Sequence, residues 1–168
     1  MRATWADERK FALWLEIEIL ACEGMANIGV IPAADAAAIR KKARFSIPEI
    51  EEIEKRTNHD VIAFLENVAG YVGPEARWIH FGLTSSDVLD TALAVQLTQA
   101  ADLLIEGIRA LRTQVAAQAA SHKQTAMIGR SHGIHAEPIT FGLKMALMFD
   151  EFRRAESRML RARGRRRR

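Results

Sequence analysis

Histidines at the breaks between helical segments are the residues of this 168-residue chain best suited to proton transfer. His132 and His135 lie in a glycine-flanked stretch, and His59 and His80 lie at two other polar breaks. Imidazole is the side chain whose ordinary pKa lies closest to neutral, so it serves readily as a general acid or base. Each histidine taken singly is more often a structural hydrogen-bonding residue, but their clustering in polar breaks favours a reaction site.

The stretch from residue 129 to residue 133 is the most informative of these breaks. Two glycines enclose Ser131 and His132, and glycine permits unusual backbone angles and a close approach of ligand to backbone. We interpret the stretch as a loop that holds His132 at a pocket wall, with Ser131 orienting a ligand oxygen.

Two further polar stretches each have two interpretations. Thr84 and Ser85 precede a long apolar segment, where their hydroxyls either cap a helix or bind a carboxylate or phosphate together with backbone N–H groups. Asn58, His59 and Asp60 precede another helix. Asp60 either favours that helix start, or the three side chains offer donors and acceptors to a polar ligand. Local sequence favours the cap in the first case and leaves the second open.

A metal site is the competing use of these side chains, and the spacing disfavours it. His132 and His135, joined by His59 or Asp60, have no cysteine near them and no helical His-Glu-x-x-His spacing. We therefore expect no metal site. The single cysteine, Cys22, lies in an apolar run and cannot form an internal disulfide, which fits a core position and a reducing, cytoplasmic compartment.

Apolar periodicity predicts an all-α chain that positions these breaks. We predict helices at about residues 7–27, 32–44, 46 onward, 60–69, 84–121 and 141–161, with Thr57 or Asn58 capping the fourth. The apolar face of the first helix is spaced by three and four residues and comprises Phe11, Trp14, Leu15, Glu18, Cys22 and Met25. The fifth helix would be a rod of roughly 50 Å, which suits a helical bundle or an oligomer core.

The charge distribution argues against a nucleic-acid partner. The net charge is +3, but six arginines in the last eight residues account for it, and the rest of the chain is mildly acidic. No apolar run reaches the roughly 20 residues that a membrane span needs, and the start lacks the apolar region of a signal peptide. We predict a soluble protein without membrane or nucleic-acid partners.

Four stretches together resemble one enzyme family. Residues 129–138, Gly-Arg-Ser-His-Gly-Ile-His-Ala-Glu-Pro, resemble the first signature of the fumarase/aspartase superfamily in its adenylosuccinate lyase form. Residues 78–92, with Trp-Ile-His-Phe-Gly-Leu-Thr-Ser-Ser-Asp, resemble a second landmark, residues 54–64 a third, and residues 14–23 the first helix. Because order and spacing agree from about Thr4 to Met159, the chain is identified as a member of that family.

The resemblance implies a lyase of purine biosynthesis that works by general acid-base β-elimination. It would cleave adenylosuccinate to AMP and fumarate, and the matching succinocarboxamide ribotide to the aminoimidazole carboxamide ribotide and fumarate. His132 would be the general acid. No cofactor is implied.

The substrate-binding roles also follow from the resemblance alone. Thr84 and Ser85 would bind the succinyl carboxylate end, and Asn58, His59 and Asp60 would line the nucleotide site. His80 would lie near the phosphate or ribose, and Ser131 stands where a threonine is more usual, with the hydroxyl kept.

The family architecture implies a division of the chain and an assembly. Residues 1–84 would form an N-terminal helical domain, residues 85–162 part of a central helical bundle, and residues 163–168 an arginine-rich tail. The complete protein would be a homotetramer with each active site built by three subunits.

Three parts of the family pattern have no counterpart here: an Arg-Tyr pair before the first helix, the serine loop that supplies the base, and the later helices. We therefore expect the chain alone to be inactive. We also expect about half of the long helix to expose apolar surface, which would lead to aggregation, misassembly or dependence on a complementing chain. The alternatives are another fumarate-releasing lyase, such as an argininosuccinate lyase, or a non-catalytic helical assembly module whose arginine tail contacts nucleic acid.

Overall fold

The computed structural model describes residues 1–165, with side chains through Gly164. It confirms the all-α prediction apart from one two-stranded hairpin. The elements in chain order are α1 Asp7–Asn27, α2 Ala33–Lys42, α3 Ile47–Thr57, α4 Asp60–Val72, α5 Ser85–Ser121, β1 Ala126–Ser131, β2 Ile134–Thr140 and α6 Phe141–Arg165. Short 3-10 helices occupy Arg2–Trp5 and Pro74–Trp78.

The chain divides into two compact units, the first comprising Met1–Gln96 and the second beginning at Leu97. The predicted domain boundary after residue 84 stays a prediction. Helix α6 continues to Arg165, so the start of the predicted arginine tail is helical. Residues 166–168 of that tail lie outside the described part of the chain.

Aromatic packing between α1 and α4 forms the core of the first unit. Phe11 stacks on Phe64 with ring centroids 5.8 Å apart, and Trp14 meets the same ring edge-on at 5.5 Å. All three rings are buried, and Phe64 is fully so. Each such pair contributes about 0.5–1.5 kcal/mol beyond its buried area, so this cluster stabilises the packing of α4 on α1.

Cys22 links the core to the last residue of the second 3-10 helix. Its buried thiol donates to the carbonyl oxygen of Trp78 at 3.4 Å, and the indole Nε1–H of Trp78 donates to Asp35 at 2.8 Å. Burial, together with the charges of Glu18 and Glu23, raises the pKa of the Cys22 thiol to about 11. Cys22 is therefore a packed thiol at neutral pH, as predicted, and not a nucleophile.

The stretch predicted as a loop at residues 129–138 is a β-hairpin, and that prediction was wrong. Strands β1 and β2 pair antiparallel from Ala126 opposite Thr140 to Ser131 opposite Ile134, leaving His132 and Gly133 as a two-residue turn. The glycines and proline suggested a loop. However, a two-stranded sheet consists only of edge strands, which tolerate proline, and a two-residue turn needs its residues at positive φ.

A close backbone crossing joins the end of α5 to the start of α6 in the second unit. The Gly142 N–H donates to the carbonyl oxygen of His122 at 2.9 Å, and the Thr140 hydroxyl accepts from the N–H of Leu143 to cap α6. A Cβ on Gly142 would lie 2.6 Å from the carbonyl oxygen of Ala119 and 2.7 Å from that of His122. Only glycine fits this crossing without movement of the backbone.

Ion pairs fasten α6 to α5 along the second unit. The Glu156 carboxylate, itself buried, accepts from the guanidinium groups of Arg109 and Arg112, and these bonds hold the pKa of that carboxyl below its usual range. Arg163 pairs with Asp102 farther along. The pairing of α6 with α5 therefore reaches into the arginine-rich end of the chain.

Large leucines on α5 and α6 remain uncovered in the single chain. Those exposed by between 41% and 63% are Leu93, Leu103, Leu104, Leu111, Leu143, Leu147 and Leu160. By length and composition, α5 is also the one helix of residues 1–165 that could cross a membrane, although Asp90 and Asp102 interrupt its apolar runs. A bundle helix whose apolar side chains face other helices meets the same criterion.

The crossing at Gly142 gives a stability prediction. We expect Gly142→Ala to destabilise the chain by about 1–3 kcal/mol, because the new methyl group meets two carbonyl oxygens. Gly107→Ala in α5 is the matched control: its Cβ meets nothing within 4 Å. That variant should gain about 0.5–1 kcal/mol from helix propensity. Thermal unfolding followed by circular dichroism measures both, and equal shifts in Tm would contradict the crossing.

The uncovered leucines give a prediction about association. We expect the 168-residue chain to self-associate in solution, because burying apolar area contributes roughly 25 cal/mol per Å². Light scattering over a concentration series measures this. Replacing Leu143 and Leu147 by glutamine should shift the chain toward monomer, and a clean monomer for the unaltered chain would refute the prediction.

Candidate active site

The hairpin turn presents His132 as a free imidazole. His132 has φ 51° and Gly133 φ 77°, so both central residues are left-handed, as a type I′ turn requires. The side chains of Ser131 and His132 are exposed, and the His132 ring has no hydrogen-bond partner within the described residues. Both ring nitrogens are therefore available to a ligand, which a proton-transfer group needs.

Gly129 shapes the hairpin that carries this turn. The strand register shifts between Ile128 and Arg130, and a Cβ on Gly129 would lie 2.7 Å from the carbonyl oxygen of Glu137. Position 129 therefore requires glycine. The group that approaches it closely is the backbone of the partner strand, whereas the sequence had suggested a ligand. An irregularity of this kind re-aims the end of a hairpin, here Ser131 and His132.

Thr84 uses its donors on a carboxylate at the start of α5. Its backbone N–H and hydroxyl both donate to Asp87 Oδ2, at 2.8 and 3.0 Å. These two bonds lower the pKa of Asp87. The predicted cap had the Thr84 oxygen accepting from the helix, and the observed bond runs the other way, as in the acidic half of a capping box.

The same geometry describes what Thr84 can bind. Two donors of one residue converge on one carboxylate oxygen, which is the arrangement that a substrate carboxylate would need. The adjacent Ser85 hydroxyl is half-buried in the first turn of α5, where backbone N–H groups favour anions.

Asn58, His59 and Asp60 lie exposed at the α3–α4 junction. Asn58 ends α3 in the left-handed conformation, with φ 51°. His59, and not the predicted Thr57 or Asn58, caps α4: its Nδ1 accepts from the N–H of Ile62 at 3.4 Å. Asp60 Oδ1 accepts from its neighbour Val61 in the first helical turn. Each residue thus has a local structural contact, and the part of each side chain that remains exposed is open to a polar ligand.

His80 is held by a residue that the sequence interpretation missed. Glu18, in the middle of α1, accepts from the backbone N–H of His80 at 2.8 Å and lies 2.6 Å from His80 Nδ1. The Glu18 side chain is 1% exposed and that of His80 is 21% exposed. One sequence signal could have identified Glu18. It is a carboxylate on the apolar face of α1, at helical spacing from Trp14 and Cys22.

Backbone strain coincides with the candidate site. Asn58, His80 and His132 are the non-glycine residues with positive φ in the described chain, and all three are among the predicted site residues. Asn and His adopt this conformation more often than most side chains, at a cost of roughly 1–2 kcal/mol. Such strain persists where the surroundings impose it, and it is found preferentially at functional sites.

The site residues divide between the two units. Asn58, His59, Asp60, His80, Thr84 and Ser85 belong to the first unit, and Ser131 and His132 to the second. Within the first unit, His80 lies near Asp87, the partner of Thr84, and a protonated His80 ring would add to the lowering of the Asp87 pKa by Thr84. Among residues 1–165 no group of three or more His, Cys, Asp or Glu side chains is arranged to hold a metal ion.

Two curated relatives match nearly the whole chain. Adenylosuccinate lyase of Bacillus subtilis (strain 168) is 51% identical over 154 residues, which are 92% of this chain and 36% of that protein. Adenylosuccinate lyase of Synechocystis sp. is 50% identical over 161 residues, 96% of this chain and 37% of that protein. The chain thus spans little more than a third of the length of these relatives.

Two solved structures share the fold of this chain. A fumarate lyase from Mesorhizobium sp. BNC1 has a TM-score of 0.88 at 26% identity, over 95% of this chain and 38% of that one. A 3-carboxy-cis,cis-muconate lactonizing enzyme from Pseudomonas putida has a TM-score of 0.90 at 26% identity, over 98% and 39%. A family model described as Lyase matches residues 1–167. The chain therefore belongs to this lyase family.

Proposed function

We propose that this chain is the N-terminal part of an adenylosuccinate lyase, which releases fumarate from adenylosuccinate and from the matching succinocarboxamide ribotide. The observation that carries the proposal is 50–51% identity to two adenylosuccinate lyases over at least 92% of the chain. Sequence identity to the muconate lactonizing enzyme is lower, at 26%. The complete protein would work in purine biosynthesis, as a cytoplasmic homotetramer.

His132 is the proposed general acid. The elimination breaks a C–N bond, and the departing nitrogen needs a proton from a group whose pKa lies near the working pH. The exposed, unpartnered imidazole at the hairpin turn meets this need, and the neighbouring Ser131 hydroxyl offers a hydrogen bond to a substrate oxygen.

The first unit supplies the proposed anion contacts. The two donors of Thr84 that hold Asp87 would turn to the succinyl carboxylate, assisted by Ser85 and the first turn of α5. Asn58, His59 and Asp60 would line the nucleotide site, and His80 would contact the phosphate or ribose. This chemistry needs no metal or organic cofactor.

The remaining two thirds of the relatives' length are expected to supply the base. We therefore predict no detectable fumarate release by the 168 residues alone. A chimera in which this chain replaces the matching third of the Bacillus subtilis relative should release fumarate from adenylosuccinate, as followed by absorbance. The unaltered relative is the positive control. A folded chimera that acts on argininosuccinate and not on adenylosuccinate would reject the proposal in favour of the alternative lyase.

The role of His132 is best tested with asparagine. Asparagine accepts positive φ and suits a turn before glycine, so His132→Asn keeps the hairpin but removes the acid. We expect kcat of the chimera to fall by about 10²–10⁴. His135→Ala, in strand β2 of the same hairpin, is the control and should leave kcat nearly unchanged. An active His132→Asn chimera would exclude His132 as the acid.

A further inference from the structure

Glu18 is a buried carboxylate whose two oxygens both serve one residue. One oxygen accepts from the His80 backbone N–H at 2.8 Å, and the other lies 2.6 Å from His80 Nδ1. The side chain is 1% exposed and lies on α1 among buried apolar residues. The recorded partner of Glu18 within the described chain is thus His80, from a turn 62 residues farther on.

Stability alone does not account for this pair. A buried ion pair or charged hydrogen bond is often no better for stability than apolar side chains of similar volume, because both groups lose their water. His80 also adopts φ 64°, a conformation that glycine would adopt without strain. A carboxylate in the core and an imidazole in a strained turn are therefore an unfavourable choice unless the ring itself is needed in this orientation.

The contact determines which nitrogen of His80 carries the hydrogen. An ionised carboxylate can only accept, so the hydrogen between the two groups lies on Nδ1. The same carboxylate also accepts a hydrogen bond from the backbone N–H of His80, and this second bond keeps the imidazole ring from flipping. Nε2, on the opposite edge of the ring, is left for a ligand.

We propose that Glu18 is a positioning residue, which fixes the ring and the tautomer of His80 so that Nε2, as an acceptor, faces a ribose hydroxyl group of the nucleotide. The proposal rests on the proposed function, since that function supplies the nucleotide. Glu18 itself does not touch the substrate. Its role is comparable to that of carboxylates that orient a ligand-binding histidine through the other ring nitrogen.

Glu18→Gln makes a specific test, because the amide has one acceptor and one donor end. The backbone N–H of His80 can only donate, so the amide oxygen must face it and the NH₂ group must face Nδ1. Nδ1 then has to accept, and the hydrogen moves to Nε2. The substitution is close to isosteric and inverts the tautomer.

Magic-angle-spinning NMR of the 168-residue chain with ¹⁵N-labelled histidine reads this tautomer even if the chain associates. His80→Asn, which tolerates positive φ, identifies the His80 signals by their loss. At alkaline pH we expect hydrogen on Nδ1 in the unaltered chain and on Nε2 in Glu18→Gln. An unaltered chain with hydrogen on Nε2, or with both forms mixed, overturns the proposal without reliance on any variant at Glu18.

Kinetics of the chimera test the functional part. Glu18→Gln should raise KM about tenfold with kcat little changed, the size of one lost hydrogen bond from a ribose hydroxyl group to Nε2. Glu156→Gln removes the other buried glutamate charge, which pairs with arginines, and should leave KM unchanged. An unchanged KM in Glu18→Gln, or an equal rise in both variants, would reduce Glu18 to a structural residue. An inactive unaltered chimera with the expected tautomers would reject the proposed function and leave the orientation of His80 established.

Discussion

The packing of α1 against α4 is the interaction on which the first unit depends. Phe11, Trp14 and Phe64 form one aromatic cluster, and the segments that carry polar candidates begin where the packed helices end. Asn58 lies at the end of α3, just before α4, and His80 is hydrogen-bonded to α1 through Glu18. Rigid packing beneath exposed polar junctions is the general way in which a scaffold fixes functional side chains.

Besides helix packing, local backbone conformation positions the polar candidate side chains. At Asn58 and His132 a left-handed residue turns the chain sharply, which brings consecutive polar side chains to a helix junction or a hairpin tip. The strain at each position is small compared with the packing that sustains it. Asn58 and His132 therefore lie in short turns between regular elements of the first and second unit, respectively.

Helix positions followed from the sequence, and pairings between distant residues did not. The limits of α1 and α5 agree with the predicted 7–27 and 84–121, because apolar spacing and proline distribution are local properties. The hairpin was missed because glycine and Pro138 look the same in a loop and in an irregular edge strand. Glu18 was missed because its partner is 62 residues away, and a carboxylate at an apolar position shows no partner in one dimension.

The buried environment of Cys22 makes its thiol a natural reporter of how often the first unit opens. It is the single cysteine of the chain, 1% exposed, and its pKa of about 11 suppresses the thiolate that alkylating reagents attack. Labelling therefore requires that α1 separates from Trp78, so the reaction rate measures how often the first unit opens. The Cys22 thiol is therefore a native, site-specific probe of core opening in the first unit, and no probe has to be engineered.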